Sequence, residues 1–141
     1  MNRFAELLDR LVLTPSRNGK LRLLTDYFRE TEDPDRGLAL AAITGDLSIA
    51  AVKPAMLRAL VAERVDPVLF GYSYDYVGDL AETVSLVWPA PAEPPSGHRP
   101  TLAEVVGKLQ AASRSDGPKV LAGLLDDAAI PARFAIIKLV T

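Results

Sequence analysis

The chain has 141 residues, of which 49% are hydrophobic, 24% are charged and 6% are aromatic, and its formal net charge is −2 at pH 7. This length suits a single domain, and the balanced charge provides no overall positive field that would attract nucleic acid or an anionic membrane. The sequence has no cysteine and one histidine, which excludes a disulfide framework, a thiolate zinc site, a cysteine nucleophile and a multi-histidine metal site.

Apolar residues recur at three- and four-residue spacing along almost the whole chain, and alternation of β-branched residues is scarce. This pattern predicts an all-α fold, an irregular domain of about nine short helices. No apolar run approaches the roughly 20 residues that span a bilayer. The first residues also lack the apolar core of a signal peptide, so we expect a cytoplasmic protein that does not enter a membrane.

Three helices are predicted in the first 45 residues. The first helix is broken at Thr14-Pro15-Ser16, where Ser16 is the expected N-cap of the second. The second helix should end near Glu32-Asp33, because Pro34 disfavours helical geometry in the residue before it. Asp33-Pro34-Asp35 has the cap-plus-proline pattern of a third helix start, and Gly45 is placed to end that helix.

Three further helices are predicted before residue 89. Ser48 is the expected N-cap of the fourth helix, and Asp66-Pro67 opens the fifth. Gly78-Asp79 separates the fifth helix from the sixth, which continues to Trp88, an expected core anchor. The fifth helix carries an apolar stripe whose tyrosines are expected to pack in the core rather than to stack on bases. This stripe consists of Val68, Leu69, Tyr72 and Tyr76.

Residues 89–100 contain five prolines and one glycine, a composition typical of a loop. This segment divides the single predicted domain, residues 1–141, into a six-helix part, 1–88, and a three-helix part, 101–141. His98 lies in the loop and is expected to be exposed. The last three helices are expected to begin after Thr101, at Asp116-Gly117-Pro118 and at Pro131.

The sequence offers no constellation for self-contained catalysis. Asp126 and Asp127 are adjacent and therefore point about 100° apart on a helix, which favours a solvated helix end over a ligand site. Neither a phosphate-binding loop nor a Gly-x-Gly-x-x-Gly motif is present. No lysine begins the Lys-x-Asp-Gly motif with which nucleotidyltransferases form a lysine–nucleotide bond. We therefore expect no catalytic residue, metal site or bound cofactor in this chain.

The distribution of charge is more informative than its total. Residues 10–25 contain four cationic side chains and no acid, and two of these cations, Arg17 and Lys20, lie with Asn18 at the start of the second helix. A helix N-terminus offers unpaired N–H groups and a positive dipole end, which suit a phosphate. Hydroxyl, amide and cationic side chains there add further donors. The candidate phosphate-binding residues are Thr14, Ser16, Arg17, Asn18 and Lys20.

A second basic group lies near the end of the sequence. It provides the additional candidate residues Arg114, Lys119 and Lys138. Lys119 falls in the first turn of a predicted helix, where a cation opposes the helix dipole, and a phosphate contact would account for that misfit.

Five segments form an ordered series that carries a family resemblance. They are Phe4-x-x-Leu7-Leu8-x-x-Leu11-x-x-Thr14, Ser16-Arg17-Asn18-Gly19-Lys20-Leu21-x-Leu23-Leu24-x-x-Tyr27-Phe28, Ala41-Ala42-Ile43-Thr44-Gly45-Asp46-Leu47, Ser73-Tyr74-Asp75-Tyr76-Val77-Gly78-Asp79-Leu80-Ala81-Glu82-Thr83, and Gly117-Pro118-Lys119 through to Phe134-x-x-x-Lys138-Leu139. The series resembles the N-terminal DNA-binding domain of bacterial ATP-dependent DNA ligases, over essentially the whole chain.

The resemblance implies an all-helical domain that holds nicked duplex DNA across the minor groove by backbone contacts. The parent enzyme would seal 3′-hydroxyl/5′-phosphate nicks in repair, replication or recombination, using ATP and Mg²⁺ through a lysine–AMP intermediate. Its catalytic and oligonucleotide-binding-fold domains would lie on the same polypeptide, so the present chain is expected to be truncated before the catalytic core and inactive alone. A monomer associated with the nucleoid is expected.

Two functional hypotheses therefore follow from the sequence. In the first, the chain positions DNA for a ligase by phosphate contacts that do not depend on base sequence. In the second, it is a helical protein-interaction scaffold whose acidic 63–82 region docks a partner, and it does not bind DNA.

Overall fold

The computed structural model describes residues 1–89 and 99–141. These residues form nine α-helices and no strand, which confirms the predicted all-α class and helix number. Much of the predicted proline-rich loop, including His98, lies outside the described residues. The helices are α1 (Asn2–Leu13), α2 (Arg17–Glu30), α3 (Asp35–Thr44), α4 (Pro54–Arg64), α5 (Pro67–Val77), α6 (Leu80–Val87), α7 (Leu102–Ala111), α8 (Gly117–Asp126) and α9 (Ile130–Val140).

Short polar side chains begin several of these helices, as the sequence predicts. The Ser16 hydroxyl oxygen accepts a hydrogen bond from the N–H of Gly19, and Asp66 accepts from the N–H groups of Val68 and Leu69. Asp79 and Thr101 cap α6 and α7 in the same way. Each cap satisfies backbone donors that the first turn of a helix leaves unpaired.

The predicted start of the fourth helix at Ser48 is wrong. Helix α4 begins at Pro54, with Lys53 as its N-cap residue, and Ser48 lies in the preceding connection. There its carbonyl accepts a hydrogen bond from the Gln110 side chain at 3.2 Å. A helix that started at Ser48 would place Pro54 in its interior, where proline removes a backbone hydrogen bond and clashes with the preceding turn.

One hydrophobic core joins helices from both sides of residues 90–98. Helix α9 packs against α1, α6 and α8, and α7 packs against α3 and α8. Helix α2 lies on α1, α4 lies on α8, and α5 lies on α6. Phe4 of α1, Leu57 of α4 and Ile137 of α9 all belong to this core and are almost fully buried. Burial of such a side chain contributes about 1.5–3 kcal/mol.

The prediction for the inner stripe of α5 is also wrong. Val68, Leu69, Tyr72 and Tyr76 are exposed, with Tyr76 at 93%. The side that packs against the core instead contains Phe70, whose ring lies 6.2 Å from the ring of Tyr74. Both sides of this helix are apolar or aromatic, so helical spacing could not indicate which one faces inward.

The side chain of Asp126 joins three parts of the fold. Its Oδ1 accepts hydrogen bonds from the Arg64 guanidinium at 2.8 Å and from the Trp88 indole N–H at 2.9 Å. The Arg64 guanidinium also lies over the Trp88 ring, 4.9 Å from its centre. Trp88 is buried, as predicted. The expectation that Asp126 is solvated is wrong, because its carboxylate is the acceptor that the buried indole N–H requires.

Candidate nucleic-acid interface

The strongest candidate site from the sequence is the corner between α1 and α2. Helix α1 ends at Leu13 and α2 begins at Arg17. The Thr14 hydroxyl donates a hydrogen bond to the Arg10 carbonyl at 2.8 Å, and the Ser16 Oγ accepts from the Gly19 N–H at 3.0 Å. Thr14 therefore closes the end of α1, and Ser16 caps α2. The first role of both hydroxyl groups is to shape the corner.

Gly19 allows this corner to be tight. A Cβ atom added at Gly19 would lie 2.7 Å from the Ser16 Oγ and 2.8 Å from the Thr14 Cγ2. Both distances are shorter than side chains tolerate, so a larger residue would displace the cap. Glycine at this position therefore lets the Ser16 and Thr14 side chains approach the first turn of α2 closely.

Three of the five predicted residues at this corner have side chains that extend into solvent. Arg17, Asn18 and Lys20 are exposed. Within residues 1–89 and 99–141, none of the three makes a side-chain hydrogen bond or an ion pair. Arg17 and Lys20 are three residues apart and so lie on the same side of α2. The corner thus presents two cations, Arg17 and Lys20, that can reach a common ligand.

A groove of about 310 Å³ runs between α1 and α2 beside this corner. Three arginines and three carboxylates line it, namely Arg3, Arg10, Arg22, Glu6, Asp26 and Glu30. Arg3 pairs with Glu30 at 2.8 Å, and Arg10 approaches Glu6 at 3.7 Å. The groove is therefore balanced in charge. Arg17 and Lys20 do not line it, so the cationic surface lies on the ridge of α2 next to the groove.

Arg22 is one of the four cations in residues 10–25 but is not among the candidate residues that the sequence predicts. Arg22 is exposed and lines the groove. The apolar side chains Val12 and Leu13 are 74% and 75% exposed at the end of α1, which the sequence did not predict. Their position next to the break at Thr14 was the available signal, because a helix end is covered by fewer neighbouring elements than a helix middle.

The second basic group is carried by other helices. Arg114 is exposed in the connection before α8, and Lys119 is exposed in the first turn of that helix. Lys119 also lines a groove of about 550 Å³ between α4 and α8, together with Glu63, Arg64 and Asp126. Helix α8 packs on α4, α7 and α9, whereas α2 packs on α1. The two basic groups therefore belong to different helix pairs.

Lys138 is engaged in an ion pair. Its Nζ lies 3.2 Å from Oδ2 of Asp79 and 5.4 Å from the centre of the Phe134 ring. Partial burial opposes the charged form of Asp79, but hydrogen bonds from the Glu82 N–H and from Lys138 outweigh it and lower the pKa of the carboxyl. A phosphate at Lys138 would have to compete with this carboxylate, so Lys138 fits a DNA contact less well than Arg17 or Lys20.

The described residues contain neither a membrane-spanning helix nor a cluster of metal ligands. No helix in residues 1–89 or 99–141 combines the length and apolar composition needed to cross a membrane. No group of three or more histidine, cysteine, aspartate or glutamate side chains in those same ranges could hold a metal ion. Comparison of the chain with known protein families, with curated proteins and with solved structures gives no match.

Proposed function

We propose that this chain binds duplex DNA through phosphate contacts at the corner between α1 and α2. One observation carries the proposal. Arg17 and Lys20 are exposed on the same side of the first turn of α2, and no carboxylate in the described part of the chain pairs with either. The positive end of the α2 dipole adds to the attraction for an anion at this point.

The chemistry of the corner favours backbone phosphates over base edges as ligands. Arginine, lysine and asparagine donors at a helix N-terminus contact phosphate oxygens without reading sequence. Thr14, Ser16 and Gly19 contribute by fixing the backbone from which Arg17, Asn18 and Lys20 project. The contacts proposed here therefore position a duplex and do not select a sequence.

The resemblance of the ordered segments to bacterial ATP-dependent DNA ligases extends this proposal to a reaction. The bound DNA would be a nicked duplex, held while its 3′-hydroxyl and 5′-phosphate are joined. ATP, Mg²⁺ and the nucleotide-bearing lysine would belong to a catalytic domain outside residues 1–141. A Lys-x-Asp-Gly motif in the same reading frame is the expected accompaniment, and its absence would contradict the ligase assignment while leaving DNA binding to be measured separately.

The binding experiment is a fluorescence-anisotropy titration of a labelled nicked duplex with the 141-residue chain at several salt concentrations. Each phosphate contact should contribute about −0.9 to the slope of log affinity against log salt concentration. Replacing both cations, Arg17→Ala plus Lys20→Ala, should weaken binding and make the slope shallower by about 1.8. The loss should be the same for unrelated duplex sequences, because the contacts are to phosphates.

The control removes the same amount of positive charge elsewhere. Arg29 lies twelve residues after Arg17 on α2, about 18 Å along the helix axis, and Lys108 is exposed on α7. The variant Arg29→Ala plus Lys108→Ala should retain most of the affinity. Equal losses in the two double variants would show a non-specific charge effect, and binding that does not respond to salt would exclude the proposed contacts.

A further inference from the structure

Helix α5 leaves one whole side without a partner in the described residues. Its outer stripe is defined by Val68, Leu69, Tyr72 and Tyr76, which are 66%, 57%, 73% and 93% exposed. These positions fall within about 100° of the helix circumference, so they form one continuous face. Exposed apolar and aromatic side chains that form one continuous face of this kind often mark interaction sites.

The packing of α5 does not account for this face. The opposite side of the helix carries Phe70 and Tyr74, which lie near each other, and the Arg58 guanidinium of α4 covers the Tyr74 ring at 5.2 Å. Helix α5 packs on α6 through that region, and none of its residues is fully buried. Two tyrosines placed in water on the outer stripe therefore contribute little to the stability of this domain.

The charge around the outer stripe is negative. Residues 65–89 include four acidic side chains and no lysine or arginine. Asp66 caps α5, and Asp79 is paired with Lys138. Asp75 follows Tyr72 by three residues and so lies beside the stripe, and Glu82 is exposed on the adjoining α6. In the described part of the chain neither Asp75 nor Glu82 has an ion-pair partner.

These negative charges indicate which kind of molecule could bind the outer stripe of α5. A second copy of the chain, packed by two-fold symmetry on the same face, would present the same carboxylates and no lysine or arginine from residues 65–89 to pair with them. Nucleic acid and anionic lipid would likewise meet carboxylates with no cation on the stripe to offset them. A partner with lysine or arginine beside an apolar stripe would satisfy both the charge and the apolar surface.

We infer that the outer stripe of α5 docks a basic amphipathic helix of another protein. Apolar side chains of the partner cover Tyr72 and Tyr76, while flanking lysine or arginine side chains pair with Asp75 and Glu82. Tyrosines of this kind are typical interface anchors, because each buries a large area and loses little conformational entropy. The inference does not depend on the proposed DNA binding, which uses a different helix pair.

The test uses a labelled synthetic leucine–lysine amphipathic peptide of about 15 residues, a length at which such a peptide can form a helix. Anisotropy with the intact 141-residue chain should show saturable binding that weakens as salt increases. The variant Tyr72→Ser plus Tyr76→Ser should weaken binding about tenfold or more, as expected for interface anchors. A matched leucine–glutamate peptide should not bind the wild-type chain.

The matched control variant is Val12→Ser plus Leu13→Ser, because these side chains are 74% and 75% exposed at the end of α1. Its affinity for the leucine–lysine peptide should equal that of the wild type. Asp75→Lys plus Glu82→Lys should reverse the preference and allow the leucine–glutamate peptide to bind. Since all six side chains are exposed, circular dichroism should show unchanged helix content in each variant.

Three results would overturn the inference. The first is an equal loss of peptide binding in the control variant. The second is a dimer in sedimentation experiments that dissociates in the tyrosine variant, which would identify a second copy as the occupant. The third is a loss of nicked-duplex binding in the tyrosine variant, which would place DNA on this face. If the chain binds no DNA but the peptide results hold, only the proposed function fails.

Discussion

At the start of α8 the backbone of Gly117 lies directly against the carbonyl group of Ala51. A Cβ atom added at Gly117 would collide with the Ala51 oxygen, and both residues are buried. The obstacle is backbone, which cannot rotate away as a side chain can. We expect Gly117→Ala to destabilise the protein by about 3 kcal/mol, because overpacking forces the backbone to shift. Urea unfolding followed by circular dichroism measures this change in the free energy of unfolding.

Gly107 provides the control for this substitution. It lies within α7, is exposed, and a Cβ atom added there would meet nothing within 4 Å. Gly107→Ala should therefore stabilise the protein by about 0.5–1 kcal/mol, since alanine loses less backbone entropy in a helix. If both variants changed stability in the same direction, the contact between Gly117 and Ala51 would not be the cause.

Contacts between residues close in sequence were predictable, whereas contacts between distant residues were not. The caps at Ser16, Asp66 and Asp79 follow from a short polar side chain placed just before an apolar helical pattern. Asp126 was misinterpreted because its partners Arg64 and Trp88 lie 62 and 38 residues away. No local pattern indicates that a carboxylate will meet a particular arginine and indole from other helices.

At the scale of the helix, α5 shows why its orientation was not predictable. Phe70 and Tyr74 on one side and Tyr72 and Tyr76 on the other have similar hydrophobicity, so the helix has no clear apolar direction. The packing of α5 against α6 determines which side of the helix faces the core. Helix α2 is the opposite case, because the cations of its first turn and the break at Thr14 indicate a solvent-facing helix start. The exposure of the candidate corner was therefore predictable from the sequence, and that of the outer stripe of α5 was not.

The ion pair between Asp79 and Lys138 links the start of α6 to α9 and should depend on pH. Because the Glu82 N–H and Lys138 together lower the pKa of Asp79 on folding, these interactions stabilise the protein fully above the ordinary value of 3.8. That contribution is lost as the pH falls from this value through the lowered pKa. Both side chains are about 40% exposed, so solvent screening limits the contribution to about 0.2–1 kcal/mol.

The measurement compares the free energies of unfolding of the wild type and Asp79→Asn in urea at pH 7 and pH 3. Asparagine still caps α6 but cannot pair with Lys138 as an ion. The wild type should be more stable at pH 7, and the difference should shrink at pH 3. Asp9→Asn is the control, because Asp9 is exposed on α1 and makes no ion pair within the described residues. A difference that grows at pH 3 would contradict the role assigned to Asp79.

At the scale of the whole molecule, the first and last helices pack together. Helix α9 lies against α1, α6 and α8, so the sequence-based parts 1–88 and 101–141 contribute to one core. Helix boundaries follow from local patterns, but the partners of a helix depend on how the complete set of apolar faces can be buried at once. This is why the number of helices was predictable from the sequence and their packing order was not.

This shared core predicts that the chain unfolds in one cooperative step. Ile137 of α9 is fully buried, and Ile137→Val should cost about 0.5–1.5 kcal/mol. The single tryptophan, Trp88, follows α6 and belongs to the other sequence-based part. Its fluorescence and the far-ultraviolet circular dichroism should therefore show coincident urea transitions, both shifted equally by Ile137→Val.

The control is Val12→Ala, at a 74% exposed site. It should change the free energy of unfolding measured by either signal by no more than about 0.5 kcal/mol. A circular dichroism transition that shifts while the Trp88 transition stays in place would show that the two parts unfold separately.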